Sequence, residues 1–356
     1  MLIKDYELLR KSGGFIHKKA YDKNTIGKEP LISDYVFVYS GMGANWSGMG
    51  QMLYHNNTIF KEAIDRCDSL LKNIAPWSLV DELLRAKEYS KVCQVKYAQV
   101  FLFVIQYALS CIWKNIGITP SIVVGHSYGE TYAFYEAGIL SLEDALLIAY
   151  AHGITQESLE GVGKMLAIEC SLDSISQILN KTASNISIAA INSSSSIIVS
   201  GSNCAIKALE ARLDILKINY KYVWVDIPYH SSFMTKTLSD FFSLIKDIRF
   251  FKPCTKLVST VTGTSVTMED LTCDYFLCNI QKTVLFKCAI NFILKNGYRN
   301  FIEIGPHPIL LNSINDNSLD MNIDSNIFYS MRRNKDEISV LAKNIDEVNC
   351  SRINIQ

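Results

Sequence analysis

The chain has 356 residues, 49% hydrophobic and 20% charged, a globular composition long enough for one large core or two domains. Its 35 basic and 35 acidic residues cancel, which argues against a general nucleic-acid or membrane-surface binder. Ten cysteines occur without a C-x-x-C pair, so neither a zinc site nor a disulfide framework is indicated; no metal is expected, and a reduced, cytoplasmic protein fits.

Residues 1–34 are polar and basic, include Gly13-Gly14, and read as an N-terminal extension whose first residues are too charged for a signal peptide. From 35 onward the pattern becomes globular. Tyr35-Val-Phe-Val-Tyr39 reads as a strand, followed by a glycine-rich turn, Ser40-Gly-Met-Gly-Ala-Asn45. Residues 57–73 and 97–115 have helical periodicity. The most apolar stretch, Phe101 to Trp113, is too short to span a bilayer.

The next stretch is the most informative. Gly125-His-Ser-Tyr-Gly129 has the G-x-S-x-G pattern of a nucleophile elbow, in which a strand turns sharply into a helix and lifts a serine oxygen clear of the backbone. Alone the pattern is weak. Its setting strengthens it: Ile122-Val-Val124 suits a buried strand, and residues 130–138 read as a helix stopped by Gly138. Ser127 is therefore the candidate nucleophile.

Lys164 to Asp226 reads as a unit of its own: strand 165–170, helix 172–181, strands 186–191 and 196–200, helix 205–216 and strand 220–226. That βαββαβ order is the split-βαβ, ferredoxin-like unit, which can be inserted into a larger domain because its two ends lie close together. Strand–helix alternation then resumes with a strand at 256–262, a helix at 284–295 and a strand at 301–304 before Gly305-Pro-His-Pro308.

A serine hydroxyl is a weak nucleophile at neutral pH and needs a base. Of six histidines, His17 lies in the extension, His55 in a polar loop, and His307 in a rigid turn before Pro308. His126 adjoins the serine and should diverge from it on the turn. His152 and His230 remain, and His230 comes where the chain leaves the inserted unit and re-enters the cleft; a loop histidine without a role is the alternative.

Six ordered motifs together resemble a known family: 40–50, Tyr97-Ala-Gln99, Gly125–Glu130, Tyr229-His-Ser231, Asn279–Phe286 and Glu303–Leu310. They look like the acyltransferases of fatty-acid and polyketide synthesis, the malonyl-CoA:acyl-carrier-protein transacylase superfamily, over about 35–335. The resemblance implies an α/β fold with an α/β-hydrolase-like large subdomain (35–163 and 227–335), an inserted ferredoxin-like small subdomain (164–226) and a C-terminal tail at 336–356. It further implies Ser127 as nucleophile and His230 as general base, then acid, with a backbone carbonyl near Asn296 orienting the base. The oxyanion hole would be the backbone N–H groups of Asn45 and Tyr128. Gln99, Tyr229 and His152 would line the substrate pocket, as would Asn192 and Ser193, for which packing or turn formation is the alternative.

One departure stands out. Extender-unit transferases place an arginine on the helix after the elbow to grip a malonyl carboxylate. No arginine occurs here between Arg85 and Arg212, and the position falls on His152, or on Tyr150 with one more loop residue. Arg299 reaching in from elsewhere is the alternative. The expectation is a discrete, trans-acting, monomeric acyltransferase that binds no cofactor. It would take acyl-CoA or a phosphopantetheinyl thioester as substrate, with an acyl carrier protein as partner and no nucleic acid or membrane, and its acyl group would not be malonyl. An acyl hydrolase that clears carriers is the closest rival, and an inactive docking module the third reading.

Overall fold

A computed structural model describes residues 35–182 and 185–353. The N-terminal extension at 1–34 and His17 lie outside the described residues. The first strand, β1 (Tyr35–Tyr39), is buried at every position and sits in the middle of a five-stranded parallel sheet of order β7-β2-β1-β8-β9. Its partners are β2 (Pro120–Gly125) and β8 (Asn300–Ile304), with β7 (Lys256–Val258) and β9 (Asn326–Tyr329) at the edges. Parallel strands need helices on both faces, which is why β1 and β2 carry near-continuous apolar runs rather than alternation.

Two clusters flank the sheet. One contains Phe37, Tyr39, Phe101, Phe103, Trp113 and Phe134. The other packs Val36, Val38 and Val124 against Phe286, Ile290 and Leu294. In chain order the helices of the first half are α1 (Gln51–Asn56), α2 (Thr58–Leu71), α3 (Leu79–Leu83), α4 (Val95–Asn115), α5 (Gly129–Glu136) and α6 (Leu142–Gln156). Helix α4 is long and apolar enough to cross a membrane by composition, but it is the buried core helix of this sheet.

The small subdomain follows the expected order. It comprises β3 (Gly163–Ile168), α7 (Leu172–Thr182), β4 (Ile186–Ile191), β5 (Ile197–Ser202), α8 (Asn203–Leu216) and β6 (Tyr220–Tyr222). They form an antiparallel sheet of order β4-β5-β3-β6 with its own core around Leu166, Ile175, Val199, Ile206 and Leu213. Pairing in β6 ends at Tyr222 rather than reaching 226, since Val225 N–H turns back to the Val223 carbonyl at 2.8 Å and leaves Trp224 exposed.

The second half of the large subdomain adds α9 (Thr235–Ile245), α10 (Cys273–Gln281), α11 (Phe286–Lys295) and α12 (Leu311–Asp320). The segment expected to be a C-terminal tail is largely a helix, α13 (Glu337–Ile353). Its Leu341, Ala342, Ile345 and Val348 are buried in the main core. Its first residue accepts hydrogen bonds from Gly50 N–H (2.7 Å) and Leu53 N–H (3.0 Å), capping α1 from across the fold. Leu341→Ala should therefore cost about 2–5 kcal/mol in urea unfolding, as for other core truncations. A change within ~0.5 kcal/mol, typical of surface positions, would mean that the helix does not belong to the core.

Candidate active site

Strand β2 ends at Gly125, and α5 begins four residues later. Between them Ser127 has φ 55°, in the left-handed region that costs a non-glycine residue about 1–2 kcal/mol. The flanking glycines make the turn possible. A Cβ on Gly125 would lie 2.2 Å from Glu130 N, and one on Gly129 would lie 2.2 Å from the Tyr39 carbonyl oxygen. No rotamer change relieves a clash with backbone.

Glu130 fastens the turn from below. It is fully buried and accepts from Thr260 N–H, Thr260 Oγ1 (2.9 Å), the Tyr275 hydroxyl (2.8 Å) and Asn279 Nδ2 (2.8 Å). Burial pushes its carboxyl up to about 7 against those four donors. Asn279 Nδ2 also donates to the Ser127 carbonyl at 3.1 Å.

The structure brings Ser127 and His230 together, with Oγ 2.5 Å from Nε2. His230, also in the left-handed region at φ 56°, places Nδ1 2.8 Å from the Lys282 carbonyl oxygen. A carbonyl only accepts, so Nδ1 carries the hydrogen and Nε2 is free to accept the Ser127 proton. This replaces the expectation of a carbonyl near Asn296. That residue caps the end of α11, is exposed, and uses its side chain on the Phe292 carbonyl. Burial, and the nearby His126, hold the His230 imidazole down at about 4, so it is neutral at pH 7.

The glycine-rich loop also differs from expectation. A Cβ on Gly41 would lie 3.4 Å from the Ser127 Cβ, and Met42 borders both small cavities that meet Ser127. Asn45 lies farther along, in the wall of the outer cavity, with Nδ2 on the Ala98 (2.8 Å) and Val92 (3.3 Å) carbonyls. The loop residue that borders the cavities at Ser127 is thus Met42 rather than Asn45. The loop is pinned at several other points. Gln106 Nε2 donates to the Ser40 carbonyl (2.7 Å), Trp46 Nε1 to the Pro306 carbonyl (2.9 Å) and Arg333 Nη2 to the Asn45 carbonyl (2.9 Å). Tyr128 stands where expected, just before α5, its hydroxyl donating to the Gln99 carbonyl at 2.7 Å.

Two cavities meet the serine. One, about 20 Å³, is lined by Gln99, Tyr128, His152, Gln156, Tyr229 and Ile280, among others. The second, about 30 Å³, is mostly apolar, with Met165, Ala190, Ile198, Val223 and Val225. An outer cavity of about 410 Å³ lies between the glycine-rich loop and residues 222–226 of the small subdomain, with Tyr229 on its inner wall. Neither inner cavity has a lysine or arginine among its lining residues. Arg299 does not reach in: its Nη1 donates to the Leu294 and Tyr298 carbonyls. Burial, with His230 nearby, lowers His152 to about 3, so it carries no charge at pH 7.

Asn192 borders neither cavity at the serine. Its Oδ1 lies 2.8 Å from His126 Nε2, whose ring packs edge-on against Phe286 and itself borders the mostly apolar cavity. Ser193 is turned toward Asp316, its Oγ 3.2 Å from Oδ2. His307 accepts from Arg333 N–H at 3.3 Å.

A family model described as acyl transferase domain matches residues 36–355. Mycoketide-CoA synthase of Mycobacterium tuberculosis is 33% identical over 79% of this chain, and probable polyketide synthase 17 of Dictyostelium discoideum is 32% identical over 81%. The chain spans only 7% and 11% of the length of those two relatives. A loading acyltransferase from the avermectin modular polyketide synthase superposes with a TM-score of 0.83 at 27% identity, covering 88% of this chain and 99% of its own. At 21% identity, a malonyl CoA-acyl carrier protein transacylase from Clostridium perfringens shares the fold with a TM-score of 0.78, over 90% of this chain and 99% of its own.

The elbow geometry has a direct test. Gly129→Ala should destabilise the protein by about 3 kcal/mol or more in urea unfolding, the upper end of overpacking costs, because the added methyl meets backbone. A loss below ~1 kcal/mol would mean that the turn is looser than described.

Proposed function

Because the chain belongs to the acyl transferase domain family of the malonyl-CoA:acyl-carrier-protein transacylase superfamily, we propose that it moves an acyl group from a coenzyme A or carrier thioester to a separate acyl carrier protein. The setting would be polyketide or related biosynthesis. The single observation that carries this reading is the Ser127–His230–Lys282 carbonyl relay on a strained elbow.

The chemistry is an ester exchange in two halves. Ser127 Oγ attacks the thioester carbonyl carbon while its proton passes to His230 Nε2. The carbon–sulfur bond then breaks, and the leaving sulfur takes that proton, leaving an acyl-serine. A carrier phosphopantetheine thiol reverses the sequence and removes the acyl group. The amides of Met42 and Tyr128 are the donors to the oxygen that becomes negative, and Tyr128 adds the N-terminus of α5. Lys282 contributes only its backbone carbonyl, which fixes the tautomer and supports the imidazolium as it forms. The outer cavity accommodates the thioester arm, and the inner polar cavity accommodates the acyl group.

Ser127→Ala should abolish acyl-enzyme formation from acyl-thioesters, read by intact mass. His230→Ala should slow loading ~10²–10⁴-fold, far more than His126→Ala or His307→Ala. Equal losses in all three would point to damaged folding instead. The same assay, run with and without a carrier acceptor, separates transfer from hydrolysis of the acyl-serine.

The acid limb of the loading rate has a sign and a place. His230 acts as a base only when neutral, and its depressed value of about 4 keeps it neutral above about pH 5. The kcat/KM for loading should be flat from there to neutrality and fall below about pH 4. A limb near 6.5, the ordinary imidazole value, would contradict the buried geometry.

The lack of a cation in the inner cavities disfavours malonyl. Burying an unpaired carboxylate costs several kcal/mol, which only a hydrogen-bonded ion pair offsets. Malonyl-CoA should load at least about tenfold more slowly than an uncharged thioester of similar size, and His152→Arg should narrow the gap. Equal loading of malonyl and acetyl groups by the unaltered protein would overturn this.

A further inference from the structure

The inner polar cavity carries a hydrogen-bond pattern more specific than the absence of charge. Gln99 Nε2 donates to Gln156 Oε1 at 3.0 Å and to the Tyr229 hydroxyl at 3.2 Å. Gln156 Nε2 in turn lies 3.0 Å from His152 Nδ1. The chain has a direction. The Gln156 amide nitrogen can only donate, so His152 Nδ1 accepts and its Nε2 carries the hydrogen. Gln99 Oε1 and His152 Nε2 are then left over, and neither has a hydrogen-bond partner among the described residues. Gln99 is 1% exposed and His152 3% exposed, so bulk water does not serve either group. Both border the 20 Å³ cavity that also touches Ser127.

Buried polar atoms in native proteins are normally paired, so two orphans on residues that line one small cavity beside the candidate nucleophile point to what should fill it. One orphan is an acceptor and the other an N–H donor. Exchanging the ends of both amides, together with the imidazole tautomer, reverses the two roles but still leaves one of each. A methyl group satisfies neither, and a carboxylate would accept from one while facing the lone pairs of the other. A hydroxyl group accepts and donates at once.

We propose that the acyl group carried on Ser127 is a short hydroxyacyl group of two or three carbons, its hydroxyl held between His152 and Gln99. The inner polar cavity, about 20 Å³, suits a short group, since that volume holds one hydroxyl-sized body. Ser127 performs the same ester exchange as above, and the hydroxyl takes no part in bond making. The inference rests on the acyl-transfer reading and assigns the substrate class within it. A water molecule can satisfy the same two atoms in the free protein. The hydroxyl reproduces that water's bonds when it displaces it, and an unsubstituted acyl chain does not.

The test uses the full chain and matched thioesters on both coenzyme A and N-acetylcysteamine: glycolyl against acetyl, and 2- and 3-hydroxypropionyl against propionyl, with malonyl alongside. Ser127 loading is followed by intact mass, and kcat/KM is compared within each pair. At least one hydroxyacyl thioester should load about tenfold or more faster than its unsubstituted partner; sites built around a substrate hydroxyl discriminate by up to ~10⁴–10⁵-fold. Gln99→Met, which keeps the length and removes the amide, should bring that ratio toward one. Ratios near one or below in every pair, with Ser127 still loading, would overturn the inference and leave the acyl-transfer reading intact. A ratio unchanged in Gln99→Met would also overturn it, because the preference would then arise elsewhere. Absence of loading by every thioester would overturn both.

Discussion

The site depends on one strained residue. Ser127 sits at φ 55°, a conformation its own chemistry disfavours, and the surrounding structure has to hold it there. Two glycines give the turn its clearance. Glu130 gives it rigidity by taking hydrogen bonds from the turn after β7 (Thr260) and from α10 (Tyr275 and Asn279). A carboxylate buried this completely would be a liability without partners; with four donors it becomes the fixed point around which the elbow, the turn and the helix are arranged. Asn279 links that network to the Ser127 carbonyl itself. The serine oxygen is therefore presented by the core rather than by a loop.

The candidate base is held differently, by a seam between the two subdomains. His230 takes its tautomer from the Lys282 carbonyl, and the chain just after Lys282 is stitched to the small subdomain. Thr283 Oγ1 donates to the Ile188 carbonyl (2.7 Å), Val284 N–H to the Ala189 carbonyl (2.9 Å), and Ile191 N–H to the Val284 carbonyl (2.9 Å). Leu285 N–H then returns to the Thr260 carbonyl, beside the Glu130 network. The serine anchor and the base anchor are consequently joined through residues 282–285. A shift of the small subdomain relative to the large one would pass directly into the direction of the His230 ring.

Much of this was legible in the sequence, and the boundary is physical. The elbow could be read because glycine spacing is a steric requirement, and the inserted unit because βαββαβ order survives in hydrophobic periodicity. The base-orienting carbonyl could not, since every residue carries one and no side chain marks it; Asn296 and Lys282 are equivalent candidates until the chain is folded. The expectation for Asn45 missed for a related reason. It shares a glycine-rich loop with Met42, and which of the two borders the serine depends on the path of the loop past Ser127. Asn192 looked like a pocket residue but serves His126, a contact between residues 66 positions apart. The C-terminal helix did leave a trace, because Leu341, Ala342, Ile345 and Val348 follow helical spacing and its presence needed no knowledge of the fold.

The electrostatics of the pocket and the strength of the base are coupled. His126, His152 and His230 are all buried and all depressed, and the proximity of His126 to His230 and of His230 to His152 adds to desolvation. A charge on His126 or His152 would make protonation of His230 harder still. On the proposed mechanism, in a cavity that contributes no fixed cation, the imidazolium formed during acylation would be the main positive charge near the reacting atoms, and the Lys282 carbonyl and the developing oxyanion would be the groups that stabilise it. A neutral substrate leaves that balance undisturbed, whereas a carboxylate brought in without a partner would attract the proton His230 has to return to the leaving sulfur. Under the proposed reaction, a polar but uncharged pocket would therefore favour uncharged substrates and would also protect the proton transfer on which both halves of the exchange rely.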